Sequence, residues 1–309
     1  MLRIDNLKLP VGASEEELRS ACAHALRVSA EALVSIRLLR RSIDAREGVK
    51  LVCAAAVEVR NEAGVLKRCK NKNVQPYAPK KYMPPAPVSA PAVSPVVIGA
   101  GPAGLFCALL LARCGARPVL LERGRAVEQR KRDVDRFWHT GELDLTSNVQ
   151  FGEGGAGAFS DGKLNTGTKD ERHGYILEEF VRFGASEDIL VDAKPHVGTD
   201  RLYIVLQNLR REILALGGEI RFSHRAVDIL TEGGSVTALR VASREGEYTL
   251  RARHVVLAPG HSARDTFAML QARGVPMEPK PFAVGVRIEH RQRDMDAAQY
   301  KDCLLYTSP

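Results

Sequence analysis

Alternating apolar and polar positions near the start of the chain predict a small β-sheet. Alternation is clear over residues 34–38 and 51–59, and residues 2–9 also read as a strand. A period of two places alternate side chains on opposite faces of a sheet. Ser14 followed by three glutamates is typical of a capped helix start. Residues 1–75 are therefore predicted to form a small α+β module.

A proline-rich segment follows this module. Seven of the 16 prolines of the chain fall within residues 76–95, interleaved with Ala, Ser and Val. Such a composition favours an extended, semi-rigid backbone over a packed element. We expect residues 76–95 to be a linker to a second domain, residues 96–309.

Beyond the linker, the apolar pattern predicts strands that alternate with helices. The order strand, helix, strand, helix, helix covers residues 96–98, 104–113, 119–122, 127–138 and 199–217. Between residues 219 and 258 short β-rich runs dominate, with Gly233 and Gly234 as a hairpin turn. The second domain is therefore predicted to be α/β, with a β-rich insertion.

The first strand of the second domain runs directly into a glycine-rich turn. Gly99, Gly101 and Gly104 form G-x-G-x-x-G where the strand ends and a helix begins. The first glycine permits a tight turn, the second admits a pyrophosphate, and the third allows close helix–strand packing. The helix N-terminus adds N–H groups and a positive dipole end. This turn, with Pro102 and Ala103, is the predicted dinucleotide site.

An acidic residue ends the next strand. Glu122 lies 23 residues after Gly99 and is placed to accept hydrogen bonds from ribose hydroxyls, with Arg123 beside it. A carboxylate there disfavours a 2′-phosphate, so NADP is not expected at this site. The fingerprint does not separate NAD from FAD. A glycine-rich turn in an ordinary α/β protein is the alternative.

A second glycine-ended strand points to FAD. The β-rich block closes with the run 254–260, in which a buried strand ends at Ala258-Pro-Gly260. With the first fingerprint, this run resembles the glutathione-reductase-like FAD superfamily, although Pro259 replaces the usual Thr. The resemblance implies contacts of FAD with Ala258 and Gly260, and of its adenine with the backbone of Val227.

Longer motifs resemble those of a family of uncharacterised bacterial FAD-dependent dehydrogenases. They occur in order at residues 41–46, 147–164, 195–200, 260–265 and 280–290. The resemblance implies a glutathione-reductase-like (Rossmann-type) FAD-binding domain after a small N-terminal module. It also implies FAD as cofactor and hydride transfer through flavin N5, but it supplies no substrate.

Residues 152–157 are rich in glycine but do not form a second fingerprint, because no hydrophobic strand leads into them. In related flavoproteins the corresponding segment wraps the ribityl and isoalloxazine region. The flavin neighbours that this resemblance implies are Gly154, Gly155, Gly157 and Ser160. A mobile surface loop is the alternative.

The sequence identifies no catalytic side chain, and it offers two weak candidates. Lys163 could polarise flavin N1 or a substrate carboxylate, or be a solvated charge. His261 could protonate substrate or flavin, or cap a helix, and His196 is equally ambiguous. Arg264 and Asp265 are expected to form a local ion pair.

The net charge of +8 is concentrated at the N-terminal end. Residues 1–95 hold 16 basic and 9 acidic residues. Arg37, Arg40, Arg41 and the basic run 67–72 suggest an alternative function, a flavoprotein that acts on RNA. Few aromatic residues for base stacking lie nearby, so a solvated surface is favoured and nucleic acid is not an expected partner. A non-catalytic flavin-binding sensor is a further alternative.

The remaining features concern the environment of the chain. Six cysteines without CxxC or zinc-finger spacing indicate a reduced, cytoplasmic compartment and no metal site. The uncharged run 83–112 is broken by prolines, so no membrane partner is expected.

The expected partners are a small-molecule substrate and NADH or NADPH as electron donor. No Gly-Asp segment follows Gly260, and the chain stops soon after a strand-like run at 283–290, so we expect a C-terminally truncated FAD domain.

Overall fold

The computed structural model describes residues 1–159, 162–164, 166, 168–282, 284–286 and 288–301. The strands are β1 (Leu2–Leu9), β2 (Leu33–Asp44), β3 (Lys50–Val59), β4 (Val74–Pro76), β5 (Val96–Ile98), β6 (Val119–Glu122), β7 (Glu219–Phe222), β8 (Arg225–Glu232), β9 (Ser235–Ser243), β10 (Gly246–Arg251) and β11 (Val255–Leu257). The helices are α1 (Glu15–Leu26), α2 (Glu62–Arg68), α3 (Pro102–Arg113), α4 (Val127–Thr140), α5 (Arg172–Arg182), α6 (Thr199–Ala215), α7 (Arg264–Ala272) and α8 (Gln292–Tyr300).

The N-terminal module is an antiparallel sheet in the order β2-β3-β1-β4, packed against α1. Ser14 caps α1 as predicted, because its Oγ accepts from Glu17 N–H while Glu17 Oε2 accepts from Ser14 N–H. Leu2 and Ile4 of β1 are fully buried, and so are Ala55 and Val57 of β3. The division at residues 75 and 95 stays a prediction.

The second domain is layered around a parallel sheet in the order β11-β5-β6-β7. One face packs on α3 and α6 through an apolar cluster that includes Leu109 and Leu209. The other face packs on the antiparallel sheet β10-β9-β8 through Leu121 and Val241. Parallel strands direct their carboxyl ends to one edge, so the loops after β5, β6 and β11 meet there. This architecture confirms the predicted α/β fold class.

Two predicted elements differ in the structure. Helix α3 begins at Pro102 rather than at Gly104, because Gly101 is its N-cap and proline suits the first helical turn. The predicted strand at 283–290 is wrong for its described residues, 284–286 and 288–290, which form no strand. Val284 and Val286 are more than 80% exposed. An alternating pattern needs a partner strand, and the described part of the chain supplies none.

The proline-rich segment has no regular structure after β4, but it is held at several points. Val88 N–H donates to Cys114 O at the end of α3. The ring of Tyr82 packs edge-on against Tyr175 of α5, with 5.3 Å between ring centroids. Among the described helices, none is both long enough and apolar enough to cross a membrane.

Candidate functional site

A cavity of about 350 Å³ opens at the carboxyl ends of β5, β6 and β11. The cofactor-binding residues predicted from sequence that line it are Gly99, Gly101, Pro102, Ala103, Glu122, Arg123, Gly155, Gly157, Ala258 and Gly260. His261 also lines it, at an exposed position. The structure thus brings two separate glycine-rich loops and the strand end at Gly260 to one cavity.

The other predicted site residues lie elsewhere. Gly154 faces α6, where an added Cβ would lie 2.5 Å from Leu206 Cδ1. Val227 does not line the cavity, whereas its neighbour Ala226 does. Lys163 also lies outside the lining and forms an antiparallel bridge with His196. Ser160 falls outside the described residues.

The turn after β5 requires glycine at two positions. Gly99 has φ +103°, and a Cβ there would lie 2.2 Å from Ala258 O of the β11 end. A Cβ on Gly104 would lie 1.8 Å from Gly99 O. Both conflicts are with backbone atoms, which cannot rotate away. Gly104 therefore acts behind the cavity, by allowing α3 to pack onto the turn.

Two glycine-rich loops face each other across the cavity. An added Cβ on Gly101 would meet nothing nearer than Gly155 Cα, at 4.0 Å, so this gap is open. Gly154 N–H donates to Ala100 O over 2.8 Å and holds the loops together beside the gap. The N-terminus of α3 opens at the same place, with its positive dipole end and unpaired N–H groups. This cradle fits a pyrophosphate.

Glu122 connects the three loops around the cavity. The side chain is 5% exposed. Its Oε2 accepts from Ala100 N–H over 2.7 Å, and its Oε1 accepts from Gly124 N–H and Gly152 N–H over 2.8 and 2.9 Å. One carboxylate therefore fixes the turn after β5, the turn after β6 and the glycine-rich loop. The predicted role in ribose binding stays a prediction, consistent with the place of Glu122 in the cavity wall.

Arg130 of α4 supports the glycine-rich loop from behind and is fully buried. Its guanidinium donates to four backbone carbonyls, those of Asn148, Val149, Gly152 and Glu153. Burial lowers the pKa of Arg130 to about 10, against the attraction of nearby carboxylates. A Cβ on Gly152 would lie 2.4 Å from Arg130 Cδ, so glycine is needed there for the side chain to pass.

Glu153, in the same loop, is a fully buried acid. Its Oε2 accepts from Val127 N–H at the start of α4 and from Arg210 Nη1 of α6, over 2.8 and 2.7 Å. Within the described residues its Oε1 has no hydrogen-bond partner. Burial raises the pKa of Glu153 to about 7, although the bond from Val127 and the charge of Arg210 oppose the rise.

The raised pKa of Glu153 predicts a pH dependence of stability. The folded protein binds this proton more tightly than the unfolded chain, so the associated stability is present at low pH and lost as pH rises through about 7. Glu153→Gln removes the titration. We expect the change in unfolding free energy between about pH 5.5 and about pH 8 to shrink by about 1–2 kcal/mol, measured by urea unfolding.

Glu31→Gln is the control for this experiment. Hydrogen bonds from its own backbone N–H and from Ser29 lower the pKa of Glu31 below its ordinary value. Glu31 is therefore ionised throughout the tested range, and its replacement at this exposed position should leave the pH dependence unchanged. An unchanged pH dependence in Glu153→Gln would show that Glu153 does not titrate in this range.

Two arginines that line the cavity, Arg123 and Arg225, pair with one acid of α7. Arg123 donates to Asp265 and Thr266 of α7, and its guanidinium lies 4.4 Å from the centroid of the Phe151 ring. Arg225 of β8 also pairs with Asp265, over 3.0 Å. The predicted ion pair of Asp265 with its sequence neighbour is therefore wrong, because β6 and β8 bring two other arginines to the first turn of α7. The described residues contain no cluster of three or more acids, cysteines and histidines able to hold a metal.

Comparisons with known proteins match two family models to different parts of this chain. The model described as "Pyridine nucleotide-disulphide oxidoreductase" matches residues 93–294, and a domain of unknown function matches residues 1–60. An uncharacterized protein of Clostridium beijerinckii is 39% identical over 303 residues, which cover 97% of this chain and 56% of that protein. This chain thus spans about half the length of its curated relative.

Solved structures resemble this chain more distantly. THI4 of Thermovibrio ammonificans matches with a TM-score of 0.40 and 18% identity, over 60% of this chain and 64% of that one. The flavin-dependent monooxygenase PieE, solved with FAD and substrate, matches with a TM-score of 0.35 and 20% identity, over 60% and 33%. At these TM-scores neither similarity bears on the activity of this chain.

Proposed function

Because the chain belongs to the pyridine nucleotide-disulphide oxidoreductase family, we propose that it is an FAD-dependent dehydrogenase, with FAD in the cavity at the carboxyl ends of β5 and β6. Bound there, FAD would supply hydride chemistry at flavin N5 towards a small-molecule substrate. NADH or NADPH is the proposed electron donor, and the cytoplasm the proposed location. The family match covers about two thirds of the chain.

The observation that carries this proposal is the gap between the two glycine-rich loops. Backbone alone lines it at Gly101 and Gly155, and α3 opens into it with its N-terminus. An anionic pyrophosphate is stabilised by such N–H groups and by the helix dipole, without a basic side chain. Glu122, in the same wall, would accept from the ribose hydroxyls.

The remaining cavity residues have proposed roles in orientation. Pro102 and Ala103, in the first turn of α3, would lie along the pyrophosphate. Gly157 would face the flavin half of the cofactor. Of the two candidate catalytic side chains, His261 lines the cavity and Lys163 does not. We therefore propose His261 as the group that exchanges a proton with substrate.

Gly101→Ala tests the site without disturbing the fold. The φ of Gly101 is −70°, which any residue adopts, and the new Cβ would meet no atom nearer than 4.0 Å. Alanine is a poorer N-cap than glycine but loses less conformational freedom on folding, so stability should change by no more than about 1 kcal/mol. The methyl group would occupy the pyrophosphate gap, so we expect the Kd for FAD, from flavin fluorescence titration, to rise by about 30-fold or more.

Gly285→Ala is the matched control, because Gly285 is exposed and its added Cβ also meets nothing within 4 Å. It should bind FAD as the wild type does. If Gly101→Ala bound FAD equally well, the pyrophosphate would not lie in this gap. If the wild type bound no FAD, the proposed function itself would fail.

A further inference from the structure

Arg41, on β2 of the N-terminal module, joins that module to the second domain through its backbone. Arg41 N–H donates to Val191 O over 2.6 Å, and Arg41 O accepts from Ala193 N–H over 2.8 Å. These bonds form a parallel bridge between Arg41 and Asp192. The module thus adds one residue of β-pairing to residues 191–193, which follow α5 in the second domain.

The side chain of Arg41 reinforces the bridge. Its Nε donates to Asp192 Oδ1 over 2.8 Å and its Nη2 to Asp188 Oδ1 over 2.9 Å. Arg41 and Asp192 are each about one third exposed. One arginine of the basic N-terminal module is therefore paired with two acids of the second domain, and this complementarity of charge fits docking within the chain.

The segment that contacts Arg41, residues 187–197, continues towards the cavity. Residues 195–197 pair with residues 162–164, since Leu164 N–H donates to Pro195 O over 2.9 Å and Val197 N–H donates to Gly162 O over 3.0 Å. Residues 162–164 follow the 3₁₀ turn Ala156–Phe159, whose first two residues line the cavity. Backbone hydrogen bonds thus extend from the module to a segment beside the cavity wall.

We propose that the N-terminal module is an intramolecular docking domain, whose Arg41 holds residues 187–197 and, through them, residues 162–164 beside the glycine-rich loop of residues 152–157. Its partner is the acidic pair Asp188 and Asp192. This role goes beyond the proposed function, and the docking itself does not depend on it. It gives residues 1–60, matched by a domain of unknown function, a task in positioning the site.

Hydrogen exchange of the full chain, followed by mass spectrometry, tests the docking without added cofactor. Arg41→Glu places a third carboxylate against Asp188 and Asp192, and the repulsion should open the bridge. We expect the amides of Ala193, Leu164 and Val197 to exchange about fivefold faster or more. Peptides from β3 and α3 should keep their wild-type rates.

Arg40→Glu is the matched control, because Arg40 is exposed and the charge change is the same. It should leave exchange in the docked segments unchanged, whereas Arg41→Glu combined with Asp192→Arg should restore slow exchange. Wild-type rates in Arg41→Glu, or equal effects of both glutamates, would overturn the proposal. If Arg41→Glu accelerated exchange throughout the chain, it would have destabilised the whole fold. Arg41→Gln, which removes the charge without repulsion, would then replace it: faster exchange confined to the docked segments would support the docking, and wild-type rates would overturn it.

A flavin titration of the same variants tests the link to the cavity. We expect Arg41→Glu to raise the Kd for FAD several-fold and Arg40→Glu to leave it unchanged. Faster local exchange with an unchanged Kd would overturn the link to the cavity. Because the exchange measurement needs no FAD, a wild type that bound none would refute the proposed function and leave the docking result readable.

Discussion

Arg130→Met is expected to destabilise the protein by about 3–5 kcal/mol and to raise the Kd for FAD at least about 100-fold. Methionine fills a similar volume but donates no hydrogen bond. The carbonyls of Asn148, Val149 and Glu153 would lose their donor, whereas Gly152 O keeps a bond from Gly155 N–H. A buried acceptor left unpaired costs about 1–3 kcal/mol, and the loss of the buried charge offsets part of this total. Urea unfolding and flavin fluorescence titration measure the two effects.

Two further variants serve as controls for Arg130→Met. Arg132→Met alters the same helix, but at an exposed position, and should change neither stability nor the Kd for FAD appreciably. Arg130→Lys keeps the charge but loses the planar fork, so it should rescue only part of both losses. If Arg130→Met bound FAD as the wild type does, the glycine-rich loop would not depend on this side chain for its shape.

The sequence predicts the site best where its residues lie close together along the chain. The G-x-G-x-x-G turn, the strand that precedes it and the helix that follows it are local, so the sequence alone assigns Gly99, Gly101 and Glu122 to one site. The family match confirms the predicted oxidoreductase family and FAD as its cofactor. The sequence also predicts Gly154, Gly155 and Gly157 as flavin neighbours. Gly155 and Gly157 line the cavity and Gly154 does not, a difference that no local pattern indicates.

The supports of the site could not be predicted, because their partners are distant in sequence. Arg130 lies in a helix rich in charges, where a basic residue reads as a solvated face, yet it binds carbonyls 18 to 23 residues away. Glu153 meets Arg210 from another helix. The contact of Val227 with adenine was implied by the superfamily resemblance alone, and its neighbour Ala226 lines the cavity instead. A register shift in β8 between Ala226 and Asp228 changes the local backbone there, which the sequence does not reveal.

Gly104→Ala should damage fold and site together, in contrast to Gly101→Ala. The new Cβ would lie 1.8 Å from Gly99 O and 3.0 Å from Gly99 C, so α3 or the turn after β5 must move. We expect a loss of about 2–4 kcal/mol in the free energy of unfolding. Because the displaced turn carries the N–H groups of the pyrophosphate cradle, the Kd for FAD should rise at least about 100-fold.

Gly174→Ala in α5 is the control for this substitution, since its added Cβ would meet nothing within 4 Å. Alanine favours a helix over glycine, so this variant should be more stable by about 0.5–1 kcal/mol and bind FAD normally. The same chemical change then has opposite effects in two helices, and the difference measures the helix–turn contact at Gly104. Wild-type stability in Gly104→Ala would mean that α3 does not pack this closely on the turn, and the cradle would lose its structural basis.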